Sequence, residues 1–162
     1  TGSVSHTEEV PSFLPDRFEP GTPNIPGILG LHAALCDLEQ TDMGKLHQHE
    51  LELTQYFING LMQMDPSEST LRAIGKHNTI ERTSVVSVQT LQTDMARVAY
   101  EMDDTYGIMT RVGLHCAPSA HKTLGTYPEG TIRFSFGPEN THHEVDLALH
   151  ALAEITGSPY HL

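Results

Sequence analysis

A chain of 162 residues is long enough for one domain with a real core. Its net charge of −12, from 21 acidic against 9 basic residues, argues against nucleic acid and anionic membrane surfaces as partners, since both are bound through lysine and arginine. No run of about 18 apolar residues offers a membrane span. Two cysteines, Cys36 and Cys116, make neither a disulfide scaffold nor a CxxC pair, and free thiols fit a reducing, cytoplasmic compartment.

Residues 1–24 carry prolines and glycines without any apolar period and read as an extended linker. Because the chain opens on Thr1 and shows no leader, a longer parent is expected, with this linker entering from its missing part. IPGILGLHAALCDLE then reads as a helix, with Asn24 as N-cap and Pro26 in the first turn. Ile25, Ile28, Leu29, His32, Leu35 and Cys36 fall at helical spacing, which predicts Cys36 as a buried packing thiol. A second helix runs from about Asp42 to Met64 with Thr41 as N-cap and a stripe of Leu46, Leu53, Phe57, Leu61 and Met64. DPSES breaks it.

Residues 69–75 read as a short strand, and the β-branched stretch 82–90 as a strand buried on both faces. DMARVAYEMDDTYG is a helix with Thr93 as N-cap and Gly107 as its stop. Residues 108–112 form a strand, and 131–137 alternate cleanly as another. Between them lies mostly loop, with one helical turn near Ala120–Leu124. THHEVDLALHALAEI closes the chain as a helix, Thr141 and Glu144 making a capping box. This order implies an α+β fold: a small, mostly antiparallel sheet with helices packed on it, the domain occupying 25–162 with its leading helix.

Period-2 alternation puts Ile132, Phe134 and Phe136 on one strand face and Arg133 and Ser135 on the other; in the preceding strand Met109 and Arg111 oppose Ile108, Thr110 and Val112. Two arginines, suited to bidentate capture of a carboxylate, therefore bracket the stretch RVGLHCAPSAH. Its Cys116 has no apolar periodicity around it. Beside His115 and five positions after Arg111, it is a candidate nucleophilic thiol, since positive charge favours the thiolate. His115 is a possible partner, although neighbours in sequence need not face each other.

A metal site from His115, Cys116 and His121, with His142 and His143, matches no zinc spacing, and no metal is expected. PGTPN leads into a helix N-terminus, which reads either as a plain N-cap or as a phosphate site. SAHK, residues 119–122, looks like a pyridoxal-lysine context, but no acidic partner for a pyridinium nitrogen accompanies it, and Lys122 reads as a loop lysine.

Taken together, RFEPGTPNIPGILGL, RVGLHCAP and IRFSFGPENTHHEVD resemble, in order and spacing, the C-terminal part of cysteine desulfurases. These are pyridoxal-phosphate enzymes of the class V aminotransferase group, which also holds the selenocysteine lyases. The resemblance spans roughly residues 1–156. It implies the small C-terminal domain of a fold-type I enzyme. It implies that Cys116 takes sulfur from L-cysteine, or selenium from L-selenocysteine, and hands it to a sulfur-acceptor protein in iron–sulfur cluster assembly.

Arg133 would grip the substrate carboxylate, Arg111 would be a second substrate-binding arginine, and His115 a neighbouring substrate-site position. Thr22 would reach across a homodimer to the cofactor phosphate of the other subunit, with Asn24 beside it. The family's Schiff-base lysine lies before the GTPN segment, so this chain by itself is expected to bind no pyridoxal phosphate and to be inactive. The alternatives are another class V enzyme, a selenocysteine lyase or aminotransferase-like protein with an incidental cysteine, and a non-catalytic interaction fragment.

Overall fold

The computed structural model describes residues 6, 8–19 and 21–159. Elements follow in the order α1 (Ile25–Gln40), α2 (Met43–Met64), β1 (Leu71–Ile74), β2 (Val85–Thr90), α3 (Met95–Tyr106), β3 (Arg111–Gly113), α4 (Pro118–Leu124), β4 (Thr131–Ser135) and α5 (His142–Thr156). They divide into two compact units, Thr1–Met43 and Gly44–Leu162.

In the first unit, α1 begins as its sequence predicts. Asn24 caps it, its side chain accepting the amide of Gly27 at 3.2 Å. The helix carries Ile28, Leu29, Leu31 and Leu35 in the open and buries no residue. Cys36, expected in a buried face, is therefore half-exposed, with its sulfur 3.8 Å from the His32 ring one turn earlier. Thr41 ends α1 instead of starting α2. Its amide goes to the carbonyl of Leu38 and its hydroxyl returns to that of Asp37 at 2.9 Å.

The second unit is α+β, as its pattern implies. Its four strands form one fully antiparallel sheet in the order β1-β2-β4-β3. Register sorts side chains by face. Ala73, Val88 and Ile132 lie across from one another, as do Val86 and Phe134, and all are buried. Helix α2 lays Phe57 against Phe134 and Phe136, with ring centroids at 4.8 and 5.3 Å. Gly60 admits the Leu149 side chain of α5 so closely that a Cβ there would stand 2.3 Å from it. Val98 and Met102 of α3 complete the core. Each such side chain fully removed from water contributes roughly 1.5–3 kcal/mol, and that burial holds the sheet in place.

Local signals explain most boundaries. The Thr141–Glu144 capping box is present in both directions. Gly107, in the left-handed region, stops α3. Asp94 rather than Thr93 caps α3, because its carboxylate accepts the Arg97 amide at 2.8 Å while the Thr93 carbonyl accepts the Thr90 hydroxyl. The strand expected over 108–112 is shifted to Arg111–Gly113. Ile108 still donates its amide to Met102 at 2.8 Å, so the chain is closing α3 there rather than pairing in a sheet. The strand expected from 82 starts at Val85, and Val85 and Ser87 are only half-buried, so it is not sealed on both faces. The loop after Cys116 holds two turns of helix, α4, opened by Pro118.

Candidate functional site

The sheet face opposite the core helices carries the candidate arginines. In the β3–β4 ladder Arg111 stands directly opposite Arg133, and Arg133 in turn opposite Ser87 of β2. Like charges directly across a ladder are destabilising. Packing alone does not favour this arrangement, whereas an anion between the two guanidinium groups would relieve it and could accept paired hydrogen bonds from them. Arg133 is half-buried and Arg111 exposed, so the pair is open to a ligand.

Just beyond β3 the chain turns sharply. His115 and Cys116 both lie in the left-handed region, at φ 50° and 60°. Neither is a glycine, so the turn costs of order 1–3 kcal/mol per residue and persists only where its surroundings fix it. The two side chains meet different partners. Cys116 is exposed, with its sulfur 3.9 Å from Nη2 of Arg111. His115 turns inward and places Nε2 3.2 Å from the hydroxyl of Thr131, which is itself buried. Burial pushes the His115 pKa below the ordinary histidine value, repulsion from Arg133, His121 and Arg111 pushes the same way, and a hydrogen bond to Thr131 pushes back. Its Nδ1 is buried and has no hydrogen-bond partner among the described residues.

Beneath this turn lies His121 of α4, buried, with Nδ1 2.7 Å from the hydroxyl of Thr126 and its ring 5.7 Å from that of His115. Thr131 reaches His115 because β3 and β4 converge at two glycines. A Cβ on Gly130, at φ 84°, would stand 2.3 Å from the backbone of Gly113. Gln89 of β2 ties down the same corner, donating to the Gly130 carbonyl at 3.2 Å and accepting from Arg72.

The structure thus brings Cys116, Arg111, Arg133 and His115 together, and it does not pair the thiol with the imidazole. Sequence reasoning misses Thr131 and Thr126, and it weighs His121 only as a metal ligand. Strand alternation already puts Thr131 on the face of Arg133; the His121–Thr126 contact has no such signal. His115 and His121 approach each other, but among the described residues no three histidine, cysteine or acidic side chains converge as a metal site. His142 sits edge-on to Tyr56 in the first turn of α5.

Thr22 and Asn24 belong to the other unit, in a shallow hollow with Phe18, Glu19, Gly21 and Ile28. The amides at the start of α1 are spoken for: Ile25 donates to Pro23, Gly27 to the Asn24 side chain and Ile28 to the Asn24 carbonyl, and residue 26 is proline. A phosphate there would find the Thr22 hydroxyl and the Asn24 amide nitrogen rather than the amides of Ile25, Gly27 and Ile28. Of the lysines, Lys122 lies 5.0 Å over the Tyr127 ring and Lys76 pairs with Glu81 at 2.8 Å. Thr22 and Asn24 are of a kind to hold the phosphate of a cofactor such as pyridoxal phosphate.

The sequence and the α+β fold are shared with known proteins. The family model for class V aminotransferases matches residues 2–148, and the chain belongs to that family. It is 33% identical over 93% of its length to a probable cysteine desulfurase of Staphylococcus epidermidis, and 34% identical over 89% to one of Pyrococcus abyssi. It spans only 35% and 34% of those proteins. A solved cysteine desulfurase from Thermococcus onnurineus superposes with a TM-score of 0.75 at 34% identity, over 88% of this chain and 34% of that one. The Escherichia coli cysteine desulfurase CsdA, in an S-sulfonic acid form, superposes at 0.66 with 26% identity, over 87% and 33%. No helix among the described residues is long and apolar enough to cross a membrane.

Proposed function

We propose that this chain is the C-terminal part of a cysteine desulfurase and that Cys116 is its sulfur-accepting nucleophile. The observation that carries the reading is the exposed Cys116 sulfur in contact with Arg111, on a face where Arg111 and Arg133 lie directly opposite each other. A free amino acid presents one carboxylate and, in cysteine, one sulfur within a few bonds of it. Arg133, half-buried and fixed in mid-strand, holds the carboxylate. Arg111 stands between that position and the thiol and steadies whichever anion is present.

The Cys116 thiolate forms an S–S bond to the sulfur of L-cysteine. The substrate's C–S bond breaks, its electron pair stays with the carbon skeleton, and that carbon takes up a proton and leaves as L-alanine. Pyridoxal phosphate, held by the whole enzyme, supplies the sink for that electron pair. Cys116 is left as a persulfide, exposed and ready for a sulfur-acceptor protein in iron–sulfur cluster assembly. His115 keeps the turn in place beside the substrate. In the homodimer of a soluble, cytoplasmic parent, Thr22 and Asn24 meet the cofactor phosphate of the other subunit.

The Schiff-base lysine is placed elsewhere in the parent, which leaves residues 1–162 alone without turnover. The test uses the full-length enzyme. Cys116→Ser abolishes sulfide release from L-cysteine and retains cofactor absorbance; undiminished release from L-cysteine would show that the nucleophile lies elsewhere. A panel including L-selenocysteine separates a desulfurase from a lyase or an aminotransferase-like relative.

A further inference from the structure

We infer that Thr131 is a positioning residue for Cys116, acting through His115, and that the His121–Thr126 pair is the floor on which this contact is built. Two consecutive non-glycine residues in the left-handed region are an unfavourable local conformation. The Ala117 amide closes the turn on the Leu114 carbonyl at 2.8 Å, and beyond that bond the side-chain contacts that can hold it are few. Nε2 of His115 meets the Thr131 hydroxyl at 3.2 Å, and its ring stands 5.7 Å from that of His121. His121 is fixed in turn by Thr126 at 2.7 Å, and the Thr126 backbone is bonded at both ends, its amide to His121 and its carbonyl from Gly130.

Thr131 is 1% exposed and its position is set by the β4 ladder, opposite Gly113, not by the loop. It is therefore a fixed point against which a strained turn can be braced. With His115 drawn inward, the next side chain along the left-handed turn projects outward, and the Cys116 sulfur arrives at Arg111. If the hydroxyl is removed, Nε2 of His115 loses its side-chain hydrogen bond, on a ring whose Nδ1 already has no partner among the described residues. The turn then relaxes toward ordinary backbone angles and the sulfur leaves the guanidinium.

The role gains its catalytic meaning from Cys116 as the nucleophile, yet its test need not use turnover. Iodoacetamide labelling of the chain, followed by peptide mass spectrometry, reads the rates at Cys116 and Cys36 in one sample. Cys36, half-exposed in a regular helix of the other compact unit, serves as the internal reference. Thr131→Val should lower the Cys116 to Cys36 rate ratio about threefold to tenfold, the loss expected of one hydrogen bond, and Thr131→Ser should restore it. His115→Phe, which keeps a ring in the pocket and removes the hydrogen bond, should give the same fall and covers the case in which the Thr131→Val chain does not fold.

A ratio unchanged or raised in the folded variants overturns the inference. So does a fall that Thr131→Ser fails to correct, since that would mark packing rather than the hydroxyl. In the full-length enzyme the same Thr131→Val change should lower kcat for sulfur release and leave KM for L-cysteine in place. The outcomes separate cleanly from the functional reading. An unaffected labelling ratio removes the positioning role alone, whereas a Cys116→Ser parent that still releases sulfur removes the desulfurase reading and leaves the turn as described.

Discussion

The two faces of the sheet are built from alternate residues of the same strands, and they answer to different demands. On one, Val86, Val88, Ile132 and Phe134 vanish under α2, α3 and α5 into an apolar core. On the other, Ser87, Arg133 and Arg111 stand in a row across three strands, with two like charges facing each other. The first face is what a sheet needs in order to exist. The second keeps an arrangement that folding does not reward, beside a turn with two residues in left-handed backbone. Unfavourable features gathered on one face, above a well-packed other face, are what a binding or catalytic surface on a stable scaffold looks like.

This contrast can be broken most forcefully from the core side. Phe57→Ala should destabilise the fold by about 3–5 kcal/mol, because Phe57 is fully buried against Phe134 and Phe136. A denaturant titration checks it. On the other face Arg133→Gln should leave stability within about 0.5 kcal/mol of the parent or raise it slightly, since a like-charge pair is relieved. In the full-length enzyme the same change should raise KM for L-cysteine roughly tenfold to a hundredfold, the loss of charge-assisted hydrogen bonds to a carboxylate. If Arg133→Gln instead unfolds the chain as Phe57→Ala does, the division of labour between the faces is wrong.

Asp65 sharpens the scaffold side with a pH signature. Burial pushes its carboxyl up. The amides of Leu71 and Thr70, with the hydroxyls of Ser67 and Ser69, more than offset that and hold its pKa at about 2, below the ordinary aspartate value of 3.8. A lowered folded pKa adds stability that is complete above the unfolded value near pH 4 and disappears as pH falls through 2. Asp65→Asn should therefore cost about 2 kcal/mol at neutral pH and flatten the acid limb of the stability curve between about pH 4 and 2. Smallest of the set, Thr141→Ala should cost about 1 kcal/mol by removing the α5 capping box, with no change in Cys116 labelling.

Much of this organisation is legible in the residues themselves. The α5 capping box, the Asn24 cap and the Gly107 stop are local devices that work through neighbours three or four positions away. The alternation of TIRFS states the two faces outright, and it already places Arg133 away from the core. Choices between adjacent candidates are less legible. Thr93 and Asp94 can each cap a helix, and which one does depends on Thr90 claiming the Thr93 carbonyl from the end of β2. Thr41 has the chemistry of an N-cap and is used as a C-cap.

The site is legible as composition and not as geometry. Sequence brings Arg111, His115 and Cys116 near one another, but it cannot say that Arg111 and Arg133 are ladder partners, because register is a long-range property. Nor can it say that His115 and Cys116 meet different partners. That depends on left-handed angles held by Thr131 and His121, residues that lie sixteen and six positions beyond His115. Cys36 shows the opposite failure. Its helical spacing is real, but apolar periodicity reports a face that can be buried, and α1 buries none of its residues.

The central claim is that Cys116, and not Cys36, receives the substrate's sulfur. Full-length enzyme treated with L-cysteine, trapped by alkylation and digested, should yield the Cys116 peptide heavier by one sulfur atom, with the Cys36 peptide unmodified. L-alanine formed with no added sulfur on the Cys116 peptide, or with the added sulfur on Cys36, would contradict the account.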